Sequence, residues 1–238
     1  MSNPIVEIIA CDVDDAMAAA AGGADRIELI TRFDLGGLTP PLDLIRAVLA
    51  AVHIPVRVML RESEDFVVKD PAERKRLCAL ANAFSKLPMD GLVCGFLRRD
   101  GDQVEIDHEL LSAVLAAAPG LPCTFHRAFE ELPDPMAAIT ALSQYPQITH
   151  ILTSGAPGND DMRIERLRQC HAAAHPRLTI LAGGGLEADF LDRLRHETTL
   201  TEFHLGKLAR EPMAITGTVS ADRVRAITEH MGKHAKTR

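Results

Sequence analysis

The sequence predicts a single (β/α)8 TIM-type barrel over residues 1–232. Three observations point there. Eight short apolar runs recur with starts roughly 28 residues apart, the size of one strand-plus-helix unit. Stretches with helix start signals and an apolar face near a 3.6 period lie between them. No Pro/Gly/Ser-rich linker interrupts the series. A doubly wound open sheet is the alternative, but it would usually carry a Gly-rich phosphate turn after its first strand. The stretch "EIIACDVDD" from Glu7 has none.

The elements follow in order. "IVEII" from Ile5 is the first strand, and "DVDDAMAAAAGGAD" after it opens on Asp caps and closes at Gly22-Gly23. "RIELI" from Arg26 leads to "TPPLDLIRAVLAAV", with a Thr cap and Pro in the first turn. "PVRVML" from Pro55 and "GLVCG" from Gly91 are the third and fourth strands, and "DHELLSAVLAAAPG" follows as a helix. "PCTFH" from Pro122 precedes the helix "DPMAAITALSQY", and "THILT" from Thr149 precedes "DDMRIERLRQCHAAA". "RLTIL" from Arg177 ends in Gly183, Gly184 and Gly185, which run into a helix. "EFHLG" from Glu202 is the eighth strand and "SADRVRAITEHMG" the closing helix. The tail "KHAKTR", residues 233–238, is expected to fray.

Composition narrows the function. Hydrophobic residues are 47 % of the 238, enough for one sizeable core, and with no Trp and one Tyr that core must be aliphatic. A net charge of −7 with scattered basic residues argues against a nucleic-acid surface. The start of the chain lacks a signal-peptide pattern, and no apolar run approaches the ~18 residues of a membrane helix. The five cysteines form no CxxC pair and read as reduced thiols of a cytosolic protein.

Strand alternation places the chemistry. Glu7 and Ile9 share a face; so do Arg26 and Glu28; Arg57, Met59 and Arg61; Thr124 and His126; Glu202 and His204. The opposite faces are apolar and must pack on the helices, so the polar set points into the barrel. There Glu7, Glu28 and Glu202 are expected to pair with Arg26, Arg57 and Arg61, since buried charge is costly unpaired. Arg26, Arg57, Glu7 and Glu202 read better as an ion-pair network than as catalysts. Active sites of such barrels lie at the C-terminal strand ends. Arg61, His126, Arg127, Thr153, Ser154 and His204 fall there, with Glu28 slightly deeper. Glu28, His126 and His204 are the candidate acid–base groups. Arg61 and Arg127 could clamp a carboxylate or phosphate. Thr153 and Ser154 suit hydroxyl contacts; no G-x-S-x-G elbow surrounds Ser154. Gly183, Gly184, Gly206 and Lys207 follow strands seven and eight, where such barrels often hold phosphate. A tight turn that simply needs glycine is the competing explanation.

"AGGADRIEL", "GGLTPPLDLIRAV", "IPVRVMLR", "TFHRAFE", "ILTSG" and "EFH" resemble, in order, signatures of the CutC family across about the first 210 residues. The resemblance implies a cytoplasmic TIM-type barrel, a homo-oligomer (dimer or tetramer), and a role in copper homeostasis and copper binding. It also implies that Glu7, Glu28, Arg61, His126, Arg127 and His204 form a polar cluster at the barrel mouth, with Glu7 among the ligand-binding residues. Some members carry cysteines after the first-strand Glu and at the end of strand two. Here Ile9, Ala10 and Ile30 stand there, and Cys11 is close but shifted. The family's Arg-Pro-Arg-Gly-Gly-Asp-Phe loop is "RESEDF" from Arg61, and "LGKLAR" replaces the Ser-Ser or Ser-Ala that often follows "EFH". Cu(I) prefers thiolate and thioether donors, so Cys11 is the copper candidate left, with help from Met59 or His126. No other cofactor is expected. The alternative is a metal-independent barrel enzyme acting on a small phosphorylated or carboxylated metabolite.

Overall fold

Eight segments whose side chains alternate between two environments close on one another as parallel strands. In the computed structural model, which describes residues 4–232, they are β1 (Ile5–Ala10), β2 (Arg26–Leu29), β3 (Val56–Met59), β4 (Gly91–Cys94), β5 (Cys123–Phe125), β6 (Ile148–Thr153), β7 (Thr179–Ala182) and β8 (Glu202–Leu205). Each pairs with its sequence neighbours, and β8 closes on β1, giving the predicted (β/α)8 barrel. The tail expected to fray lies outside the described residues.

The helices are α1 (Val13–Ala21), α2 (Leu42–Ala51), α3 (Pro71–Phe84), α4 (His108–Ala117), α5 (Pro135–Leu142), α6 (Asp160–Ala174), α7 (Ala188–Glu197) and α8 (Ala221–His230). Six of the eight starts are chemically marked; α2 begins after Pro41 without the expected Thr cap, because the Thr39 hydroxyl bonds the Arg61 backbone instead, and α7 begins after Glu187 with no side-chain cap. Asp12, Asp70, Asp107, Asp134, Asn159 and Ser220 each accept a backbone N–H of the first turn, worth about 1 kcal/mol apiece. The helix α3 was not foreseen, although Asp70 and Pro71 carry its start signal. Also unforeseen is an antiparallel ribbon, Leu97–Asp100 with Gln103–Ile106, inserted after β4. Its turn uses Gly101 at φ +55°.

Two cores result. The outward residues Ile8, Ile27, Leu29, Val58, Leu92, Phe125 and Phe203 are fully buried in the main hydrophobic cluster with the helices, each contributing about 1.5–3 kcal/mol. A separate small cluster, Ile9, Ile30, Met59 and Val93, has the opposite parity and fills the barrel interior near its mouth. Between these layers of apolar packing lies the polar interior.

Candidate functional site

The polar interior has a lower layer in which every charge is matched. Arg26 donates to Glu7 through Nε and to Glu202 through Nη2 at 2.8 Å. His150 Nε2 reaches the same Glu202 oxygen at 3.1 Å. Burial alone would raise both carboxyls. Arg26 and a His204 hydrogen bond outweigh it and hold Glu7 well below the carboxylate range; His150 and Arg26 hold Glu202 at about 2. Arg57 and Arg61 depart from the expected pairing with interior glutamates. Arg57 donates to Asp90 at 3.0 Å and to Thr124 at 2.6 Å, because Asp90 precedes β4 beside it. Arg61 has no carboxylate partner among the described residues. In β6 the inward residues are His150 and Leu152, while Ile151 joins the outer core.

Above this layer the satisfaction stops. Glu28 Oε2 lies 3.6 Å from His204 Nε2, and His204 Nδ1 bonds Glu7 Oε1 at 2.7 Å. A chain Glu7–His204–Glu28 therefore crosses from β1 through β8 to β2. Its far end, Glu28 Oε1, is buried and has no hydrogen-bond partner. Burial and the Glu7 charge push Glu28 up to about 7 despite His204. Burial works to lower His204, but Glu28 and the Glu7 hydrogen bond outweigh it and raise it.

His126 caps the short helical turn after β5. Its Nδ1 accepts the Ala128 N–H at 3.2 Å, so the neutral ring carries its proton on Nε2. That Nε2 is buried without a partner. Burial, with Arg61 adding repulsion, pushes the imidazole down to about 3, which keeps it neutral. Arg61 is buried on the same wall: its guanidinium lies 4.5 Å from the Phe66 ring centroid, and that ring lies 5.0 Å from His126. Its Nη atoms donate to the Gly36, Gly37 and Glu64 carbonyls and its Nε to nothing.

The other predicted residues divide. Arg127 donates twice to Glu130 Oε2, at 2.9 and 2.7 Å. Thr153 Oγ1, Ser154 N and Ser154 Oγ all donate to Glu130 Oε1. These three residues therefore converge on one carboxylate that sequence reasoning did not single out. Its i,i+3 spacing from Arg127 was the available signal. Gly184, Gly206 and Lys207 line the mouth, with Lys207 exposed. Gly183 leaves no room for a side chain, since a Cβ would meet Leu152 at 2.6 Å and His204 at 3.0 Å. Gly95, also not foreseen, seats His126: a Cβ there would come within 2.6 Å of Nδ1.

The mouth opens into one cavity of about 1050 Å³, lined by Ile9, Ile30, Met59, Phe66 and Leu152 among apolar groups and by Glu28, Arg61, His126, Arg127, Glu130 and His204 among polar ones. Six buried side-chain nitrogen or oxygen atoms lack a partner among the described residues. Four belong to residues lining this cavity: Glu28, Arg61, His126 and Arg223.

Glu7, Glu28 and His204 bring three donor atoms within 4.8 Å of one another. Both Glu7 oxygens are already held, by Arg26 and His204, so the trio is built as a hydrogen-bonded relay with a cation's place filled by Arg26. The soft donors are scattered. Cys11 Sγ sits 3.4 Å from the Arg210 guanidinium, and burial pushes its thiol up to about 11. Cys94 and Cys123 contact each other at 3.4 Å in the outer core, away from the cavity lining.

The CutC family profile matches residues 5–209. A human protein named copper homeostasis protein cutC homolog is 35 % identical over 201 residues, 84 % of this chain and 72 % of its own. A family protein CutC of Mesorhizobium japonicum is 34 % identical over 210 residues, 88 % of this chain and 80 % of its own. The crystal structure of a CutC protein of Streptococcus agalactiae superposes with a TM-score of 0.77 at 27 % identity, covering 90 % of this chain and all of that one. No helix among the described residues is long and apolar enough to cross a membrane.

Proposed function

The chain belongs to the CutC family, and from that premise we propose that its barrel mouth is an acid–base active site for a small anionic metabolite. One observation carries the reading: the unpartnered polar atoms of Glu28, His126 and Arg61 belong to residues lining the same cavity. A buried polar group without a partner costs about 1–3 kcal/mol, and three around one space are explained by a ligand that supplies the missing bonds. Glu28 is the proton carrier, tuned towards neutrality by burial. His126 offers a neutral N–H. Arg61, a buried cation with no carboxylate of its own, takes the anionic end, and Lys207 adds charge at the rim. The free thiols support the cytoplasmic placement that the resemblance implies, and light scattering on the purified protein checks the implied self-association.

Titration with inorganic phosphate and with oxalate, followed by amide and side-chain NMR shifts, tests the pocket. Shifts should centre on Arg61 and His126 and vanish in Arg61→Met. Shifts confined to other surfaces would sink the reading.

Copper handling is the second reading, brought by the relatives' names. One feature favours it: Cys11 packs against the cluster that contains Met59. The donor chemistry does not fit a Cu(I) site well, because that thiol is held protonated beside a guanidinium. Cu(I) competition against a chelator, with Cys11→Ser as control, separates the two. Tight stoichiometric binding lost in Cys11→Ser would restore copper to the site.

A further inference from the structure

We propose that the reaction at this mouth is enolisation: Glu28 removes the proton next to a carbonyl whose oxygen accepts the His126 Nε2–H bond. The substrate class is an α-hydroxycarbonyl or 2-oxo compound ending in a phosphate or carboxylate. This deepens the anionic-metabolite reading and rests on it.

Glu28 and His126 are complementary in what they accept and donate. Nδ1 of His126 is occupied by the Ala128 N–H, so the one proton of the neutral ring is presented by Nε2. Glu28 Oε1, in contrast, can only accept when the carboxyl is ionised. The residues lining the cavity thus carry one unpartnered acceptor that can take a proton and one unpartnered neutral donor that cannot readily lose one. A charged imidazolium would instead give up its proton to the oxygen as the enolate forms. A carboxylate base with a neutral imidazole is an arrangement suited to moving a proton from carbon while charge gathers on oxygen. Gly95 preserves it, because any Cβ there would push the ring off its seat.

The surroundings fit the same step. Ile9, Ile30 and Met59 line the cavity beside Glu28 and keep the carboxylate poorly solvated, which favours proton uptake. The second Glu28 oxygen faces His204, itself tethered to Glu7. His204 and Glu7 are positioning residues that fix the carboxylate and share its proton. Arg61 has a donor to spare for the anionic end of a substrate.

The step balances without an oxidant or reductant. The C–H bond breaks and its proton goes to Glu28. The C–H electron pair forms the C=C bond, and the carbonyl π pair moves to oxygen, where His126 Nε2–H holds it. Return of the proton to the same carbon regenerates the substrate. Return to the neighbouring carbon of an α-hydroxycarbonyl, with the hydroxyl proton passing to the former carbonyl oxygen, gives its isomer.

Proton NMR in D2O tests this on the full chain, with glycolaldehyde phosphate, dihydroxyacetone phosphate, pyruvate and 2-oxobutyrate as probes. Binding is read by saturation transfer in the same samples, and folding by circular dichroism. We expect deuterium to enter the α carbon of at least one probe faster than in protein-free buffer. Glu28→Gln should slow this at least 100-fold, and Glu28→Asp should retain part of it. His126→Gln should lower the rate at saturation more than the affinity. Glu7→Gln should shift the pH profile of exchange. A probe that binds without exchanging in every case overturns enolisation and leaves the pocket reading standing. No binding by any probe overturns both. Exchange that survives in folded Glu28→Gln overturns the assignment of the base.

Discussion

Deep in the barrel, Arg26 lies between Glu7 and Glu202, His150 completes the set, and Arg57 is held by Asp90 and Thr124. At the mouth, Glu28, His126 and Arg61 are just as buried, yet each keeps a polar atom without a partner. The residue types are the same in both layers. Only the count of satisfied bonds differs. Buried charge alone therefore says little about function in this barrel, since matched groups serve structure. The incomplete layer is the one that faces the cavity.

Removal of a partner from the matched layer should have the largest effect on stability. Arg26→Met leaves Glu7 and Glu202 short of their cation and should cost about 3–5 kcal/mol in urea unfolding. A loss below about 1 kcal/mol would break the distinction between the layers.

Acid should expose the mouth next. His126 is neutral in the fold down to about pH 3, whereas an unfolded imidazole titrates near 6.5. Its folded value is lowered, so the stability it supports is present above pH 6.5 and is lost as pH falls towards 3. The slope is up to about 1.4 kcal/mol per pH unit. In His126→Gln the unfolding free energy should be flatter across that window by one proton's worth; an unchanged slope would mean the ring is charged in the fold.

Ser154→Ala removes one of the donors to Glu130, which keeps the Arg127 pair and a backbone N–H. A loss of about 1.5 kcal/mol is expected by thermal melts. A much larger loss would make Glu130 part of the matched layer.

Glu28→Gln should change stability least, by under about 1 kcal/mol at pH 7, although it should slow exchange at least 100-fold. Its sign is informative. The folded carboxyl titrates near 7 and the unfolded one near 4.5. Protonation therefore supports the fold fully below 4.5, and that support fades as pH rises through 7. The variant should gain on the parent between pH 5 and 8 in paired melts, and the opposite trend would place Glu28 in the saturated network.

Much of this was legible from residue order. The recurring runs named all eight strands, and the period of two put Glu7, Glu28, His126 and His204 on the inward face. The neutral state of His126 was not legible, because it depends on one N–H two residues on and on burial by the closed barrel. Glu130 was missed because its donors other than Arg127 are Thr153 and Ser154 at the end of β6, far along the chain. The mixed pattern of "THILT" concealed that His150 points inward, since its threonines mimic a polar face.

Residue order by itself determined the eight barrel strands, most of the helices and the inward placement of Glu7, Glu28, His126 and His204, because those follow from local periodicity and caps. Which of the buried groups are matched was decided only when β8 closed on β1. A hydrogen bond needs distance and direction at once, and strands distant in sequence supply those only after closure. That step placed Arg26 between two glutamates and left Glu28, His126 and Arg61 facing an open cavity.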